Sequence, residues 1–371
     1  MDQFHDIRPY NDDEVAKVLN NLVEMPDFIN TIIGFRFAQW PRFLRAPLAF
    51  CVKLALKRQI ANISNVHEFQ TRVASYMERM IKTTTTNVEY RGIEKLEKGV
   101  GYLFLSNHRD IAMDPAFVNY GLYLAGLNTV RIAIGDNLLR RPFVSDLMRL
   151  NKSFIVKRSA NGIREMMAAF GQLSAYITES LMTDQANIWI AQKEGRAKDG
   201  LDQTDPAIIK MFFMSQKKAK TPFADAMANL KIVPVSIAYE YDPCAFDKAR
   251  ELHQKSTTGA YEKAEFEDID SIKNGIVGQK GKVVVTFGDV IKDGFETPEA
   301  FVAEVDRQII THYAIQSTNE AALALQQGLP SGDSAFSNYL ERCPENLRET
   351  VLAMYANPLK QQKKYLNKSF E

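Results

Sequence analysis

One histidine stands immediately ahead of two carboxylates in the run Ser106-Asn107-His108-Arg109-Asp110-Ile111-Ala112-Met113-Asp114-Pro115. A neutral imidazole can take a proton from a hydroxyl near neutral pH, and a neighbouring carboxylate fixes its tautomer and stabilises the imidazolium that forms. Either Asp110 or Asp114 is close enough in sequence to do this. With only five histidines in 371 residues, a histidine in such company is the first candidate for chemistry. The uncharged run 100–106 reads as a strand, and Asp114-Pro115 reads as a helix N-cap followed by proline at the first helical position. His108 is therefore expected in a strand-to-helix turn, where catalytic side chains are commonly carried.

Three further blocks carry charge or shape at strand ends. Lys152-Ser153-Phe154-Ile155-Val156-Lys157-Arg158-Ser159 is a short apolar strand ending in two cations. Alternate strand residues face opposite sides, so one of Lys157 and Arg158 can face a given cleft, and arginine's planar fork suits phosphate better. The run Ile188-Trp189-Ile190-Ala191 leads into Gln192-Lys193-Glu194-Gly195-Arg196, where Gly195 permits a tight backbone path between an acceptor and a cation. The fourth block, Val233-Pro234-Val235, places proline within an apolar strand, which points to an edge position or a strand start.

The elements needed to position these groups are legible as alternation. Strand-like segments at 88–91, 100–106, 129–134, 153–156, 187–191, 232–239 and 283–287 are interleaved with helical periodicity at 137–149, 162–181 and 206–218. This predicts an α/β fold, a mixed central sheet flanked by helices. Residues 1–82 read as a helical N-terminal region, 83–296 as the α/β domain, and 297–371 as a helical C-terminal region ending in a basic tail. An apolar content of 46% supplies a core, and a net charge of +1 gives no global argument for nucleic acid. Cys51, Cys244 and Cys343 show neither metal spacing nor an even count, which fits a reducing compartment. No signal peptide or membrane-spanning run is apparent.

Between 28 and 67 there is no acidic residue, while Arg36, Arg42, Arg45, Lys53, Lys57 and Arg58 alternate with Trp40, Phe43, Phe50 and other bulky apolar groups. Charge of one sign among apolar side chains suits an anionic membrane surface, and it equally suits a helical pair packed on the next domain. Pro41 and Pro47 are expected to divide the segment into two helices. On the first reading Arg36, Trp40, Arg42, Arg45, Phe50, Lys53 and Lys57 touch the bilayer.

In order and spacing, the four blocks resemble those of the glycerolipid acyltransferase family, in a divergent bacterial-type branch. The family's Asn-His-x4-Asp, Phe-(Ile/Val)-x-Arg, Glu-Gly-x-Arg and Val-Pro-(Val/Ile) are answered here by four counterparts. These are Asn107-His108 with Asp114, Ile155-Val156-Lys157-Arg158, Glu194-Gly195-Arg196 and Val233-Pro234-Val235. Five residues rather than four separate His108 from Asp114, and no residue separates Gly195 from Arg196. Asp114 keeps an Asp-Pro context, which favours it over Asp110 as the partner. The resemblance implies a glycerol-3-phosphate acyltransferase-like fold and transfer of an acyl group from acyl-CoA or acyl-carrier protein to a glycerol-phosphate or lysophospholipid hydroxyl. In it, His108 is the base oriented by Asp114. Arg158 and Arg196 hold the acceptor phosphate, Glu194 holds a hydroxyl with Gly195 shaping the loop, and no cofactor or metal is required. Met113, Phe117, Tyr120 and Leu122 are candidate linings of an acyl tunnel. The expected location is the cytoplasm, peripheral on the inner face of the cytoplasmic membrane. A noncatalytic lipid-binding relative and a metal-dependent hydrolase using His108, Asp110 and Asp114 are the alternatives.

Overall fold

The computed structural model describes residues 3–37, 39–41, 43, 45–159, 162–264, 267–292 and 294–368. The chain divides into two compact units, Met1–Tyr76 with Arg131–Ala169, and Met77–Val130 with Phe170–Glu371. Residues 131–169 thus group with the N-terminal helices.

The first unit contains α1 (Asp12–Glu24), α2 (Pro26–Arg36), α3 (Arg45–Ile60) and the start of α4 (Val66–Thr84). Helix α1 opens on a capping box between Asn11 and Glu14, and it buries Val15, Val18, Leu19 and Leu22, the three- and four-residue spacing of one helical stripe. That stripe packs with Ile63 and Val66 and with Phe143 and Leu150 of α6 (Pro142–Leu150). Strands β3 (Arg131–Gly135) and β4 (Ser153–Val156) pair in parallel, and the amide of Ile155 donates to the Ile7 carbonyl at 2.9 Å. Pro41 does lie between α2 and α3. Pro47 does not divide helices, because it sits in the first turn of α3, where an intrahelical N–H is not needed.

The second unit is built on strands β1 (Thr85–Arg91), β2 (Leu103–Ser106), β5 (Ile188–Ala191), β6 (Ile232–Tyr239) and β7 (Gly281–Phe287), hydrogen-bonded in the order β1-β7-β6-β2-β5. All neighbours are parallel except β6 and β7, so the sheet is mixed, as expected. Every residue of β2 and β6 is buried, the continuous apolar pattern of strands covered on both faces. Pro234 is thus on a central strand, not an edge or strand start. It is tolerated because the β6–β7 ladder begins only at Val235 with Phe287, so the N–H that proline lacks falls just past the end of β7, while its carbonyl still accepts from Gly288 at 2.8 Å.

Helices α5 (Met113–Leu124), α8 (Pro206–Lys218), α10 (Ala245–Thr258), α11 (Glu267–Val277) and α12 (Pro298–His312) surround this sheet, with the C-terminal part of α7 (Ile163–Met182) and α9 (Phe223–Asn229). The C-terminal helices α13 (Ser317–Gln326), α14 (Ser334–Glu341) and α15 (Arg348–Lys368) share a core with α10 that includes Ala249, Ala322, Phe336, Val351 and Tyr355. Pro358 interrupts α15 and leaves the Met354 carbonyl without its intrahelical donor.

Candidate active site

Strand β2 delivers Asn107 and His108 to the turn before α5, and side chains continue the ladder where the strand ends. The Asn107 side chain accepts from the Ile237 amide at 2.8 Å and donates to its carbonyl at 3.1 Å, fastening the turn to β6. His108 Nδ1 lies 2.8 Å from Asp114 Oδ2, and the imidazole meets the Trp189 ring edge-on with centroids 5.7 Å apart. The extra residue between His108 and Asp114 therefore does not separate them.

Asp114 is fully buried and is the hub of the turn. Its Oδ2 also accepts from the amides of Arg109 at 2.6 Å and Asp110 at 2.9 Å, and its Oδ1 accepts from the Tyr239 hydroxyl at 2.8 Å. Four donors converging on one carboxylate compensate its removal from water. Asp114 partners His108 as expected, but it does not cap the helix. Asp114 is the second residue of α5 rather than its cap. Asp110 Oδ1 accepts from the amides of Ala112 at 3.0 Å and Met113 at 2.9 Å, satisfying donors at the helix N-terminus. Asp110 is buried against Gly275 of α11, where an added Cβ would fall 2.2 Å from Asp110 Oδ2. Burial, with the Asp114 charge adding to it, raises the Asp110 pKa. Among the described residues, no group of three or more His, Cys, Asp or Glu side chains is placed to hold a metal ion.

The Glu194-Gly195-Arg196 loop follows β5 and is tied to the turn by the Ala197 amide, which donates to the His108 carbonyl at 2.8 Å. Gly195 has φ +78, and an added Cβ would meet nothing within 4 Å, so the conformation rather than crowding calls for glycine. Lys193 and Glu194 are exposed, and Arg196 is half-buried with Nη2 3.4 Å from the Ser271 hydroxyl. Arg158 belongs to the other unit, at the end of β4, where its amide donates to Asp136 at 3.2 Å. Its neighbour Lys157 pairs with Asp6.

Three residues that hold the turn were not singled out in the sequence. Arg109 is buried and donates to the carbonyls of Ala197 at 3.0 Å and Gly200 at 3.2 Å, to Asp202 Oδ2 at 2.6 Å, and lies over the Tyr313 ring at 5.5 Å. Asp202 also accepts from Asn107 Nδ2 at 3.2 Å, so one buried carboxylate holds both residues flanking His108. Its backbone is gripped in turn by Gln361, which accepts from the Asp202 amide at 3.0 Å and donates to its carbonyl at 2.7 Å. Gly200, at φ +82, approaches the Met354 carbonyl freed by Pro358 so closely that a Cβ would lie 2.2 Å away. Tyr239, the third, ends the strand that bears the Val233-Pro234-Val235 block. The available signals were adjacency to His108 for Arg109 and the strand end for Tyr239. Asp202 had none, since its partners are distant in sequence.

In the first unit, Arg36 and Arg45 are exposed, as are Trp40 (51%), Phe43 (78%) and Phe50 (70%). Lys53 and Lys57 both pair with Glu24 of α1, so part of the positive charge is answered within the unit. Arg42 lies outside the described residues. Among the described residues, no helix is long and apolar enough to cross a membrane.

In the second unit a mixed sheet thus delivers a carboxylate-bound histidine into a strand-to-helix turn. Residues 87–239 match the Acyltransferase family model, a span that holds all four sequence blocks. No curated protein matches the chain significantly. Among solved structures it is similar to PlsC, the 1-acyl-sn-glycerophosphate (LPA) acyltransferase of Thermotoga maritima, at 15% identity over 80% of this chain and 93% of that one, with a TM-score of 0.35.

Proposed function

We propose that the domain moves a fatty acyl group from acyl-CoA or acyl-carrier protein to a hydroxyl of a glycerol-phosphate or lysophospholipid acceptor, with His108 as general base. The 2.8 Å contact between His108 Nδ1 and Asp114, within the span that matches the Acyltransferase family model, is the observation that supports it most strongly. With Nδ1–H donating to the carboxylate, the Nε2 lone pair is the one that meets a substrate. Nε2 takes the acceptor's hydroxyl proton as that oxygen attacks the thioester carbon. The tetrahedral intermediate then expels the thiolate, which takes the proton back from the imidazolium. No covalent enzyme intermediate is needed.

Arg196 binds the acceptor phosphate, and Glu194 accepts from a second hydroxyl, fixing the attacking oxygen near the thioester. Met113, Phe117 and Leu122, buried on α5, and half-buried Tyr120 line the path of the acyl chain. The exposed aromatic residues Trp40, Phe43 and Phe50, among Arg36, Arg42 and Arg45, rest on the anionic inner face of the cytoplasmic membrane, where a lysolipid acceptor resides. Lys53 and Lys57 contribute to that contact from α3.

The test is thioester release, with the product identified by mass spectrometry, from acyl-CoA and acyl-carrier protein. Glycerol 3-phosphate, lysophosphatidate and neutral lyso-lipids are offered with and without anionic vesicles. Acylation of a phosphate-bearing acceptor is expected. Thioester hydrolysis without acylated product, under every condition, would overturn the proposal.

A further inference from the structure

We infer that Tyr239 is a positioning residue for the dyad, its hydroxyl setting how strongly Asp114 draws a proton onto His108. The inference rests on the proposed role of His108 and goes beyond it by assigning the control of that base to the last residue of β6. The geometry is specific. The Tyr239 hydroxyl donates to Asp114 Oδ1 at 2.8 Å, while His108 and two backbone amides occupy Oδ2. The tyrosine is buried, and its ring is held edge-on against Phe117 with centroids 5.9 Å apart. Burial and the adjacent Asp114 charge push the Tyr239 pKa well up, so the phenol keeps its proton and remains a donor.

The consequence follows from competition for one negative charge. When His108 is neutral, the full carboxylate charge is available to the tyrosine, and this hydrogen bond is at its strongest. When His108 gains a proton, the imidazolium partly neutralises that charge and the tyrosine bond weakens. The hydroxyl therefore favours neutral His108, the form able to accept a substrate proton. Removing it leaves more of the carboxylate's charge to the imidazolium, so the protonated imidazole gains over the neutral one.

Among the described residues, the other titratable groups around the dyad are Arg109 and Asp110 in the turn, Asp202 in the loop after β5, Asp242 and Lys248 beyond β6, Lys280 just before β7, and Tyr313 after α12. All remain in Tyr239→Phe, so the difference between the two proteins reports the hydroxyl alone.

The experiment pairs two readouts on the full chain. Histidine titration by NMR, with the His108 resonance assigned by its absence in His108→Ala, gives the imidazole pKa without any need for turnover. The pH profile of acyl transfer gives its kinetic counterpart. In Tyr239→Phe both move to higher pH by about half to one unit, a loss of ~3- to 10-fold in rate on the acid side of the profile. Should Tyr239→Phe fail to fold, 3-fluorotyrosine placed at 239 alone supplies a more acidic donor and moves the titration to lower pH. An unmoved titration in a folded Tyr239→Phe protein, or with fluorotyrosine, would overturn the inference while leaving His108 as the base. Absence of acyl transfer by the unaltered protein would instead strike the proposed function, and the titration would still test Tyr239.

Discussion

Asp202→Asn is expected to destabilise the second unit by several degrees and to lower turnover, although residue 202 reaches neither Asp114 nor the His108 imidazole. Arg109 and Asp202 are both almost fully buried, with Nη2 and Oδ2 2.6 Å apart. Removing one charge of a buried pair costs about 3–5 kcal/mol, because the other charge is left without compensation. Asparagine preserves shape, and Arg109 keeps the carbonyls of Ala197 and Gly200, which places the expected cost near the lower end, about 3 kcal/mol. The weakened Asn107 contact at 3.2 Å adds at most ~1 kcal/mol, so the uncompensated guanidinium dominates. For a unit of this size each kcal/mol corresponds to about 2–4 °C, giving a fall in Tm of ~6–12 °C. Circular dichroism melts of the single variants Asp202→Asn and Arg109→Met and of the double variant complete the test. The double variant should lose less than the sum of the two single losses, since removing the guanidinium removes the charge left stranded. A Tm within about 2 °C of the parent, or strictly additive losses, would refute the reasoning.

The buried ammonium of Lys280 donates to Thr84 and to the carbonyls of Ile276 and Gly278, and burial lowers its pKa to about 8. Between that value and the ordinary lysine range the unfolded chain binds the extra proton, so stability attributable to this group rises with pH there. Lys280→Met should flatten that rise in urea titrations, and an unchanged slope would count against it. Gly200→Ala drives a Cβ into the Met354 carbonyl at a left-handed φ, so it is expected to cost more than the ~1 kcal/mol of the backbone conformation alone, and to raise amide exchange at 199–202. Phe43→Glu combined with Phe50→Glu should weaken sedimentation with anionic vesicles by about tenfold with far-UV circular dichroism unchanged, and undiminished binding would remove the membrane-contact assignment.

The strands were legible because β-branched and aromatic runs bounded by turn residues announce them, and 153–156 and 232–239 agree with β4 and β6 to the residue. Pro234 misled because its central position depends on where β7 stops, a fact of pairing and not of local sequence. The dyad was legible from His108 and Asp114, but the division of labour between the aspartates was not. An Asp-Pro pair resembles a cap wherever it occurs, and only the turn's path shows that Asp110 takes that place. Asp202 was invisible as a site residue and Tyr239 was marked only by its strand end, because each acts across more than 90 residues of chain, Asp202 on Asn107 and Arg109, Tyr239 on Asp114. The isolated charge of 28–67 was legible, but Glu24, which answers Lys53 and Lys57, lies just outside that window.

The central claim is that His108, held by Asp114, removes the acceptor's proton. Single-turnover acyl transfer by His108→Ala, on protein whose circular dichroism and melting match the parent, tests it most directly. Loss of a general base predicts a fall of about 10²- to 10⁴-fold at saturating acceptor. Acyl transfer at the parent rate in that variant would contradict the account.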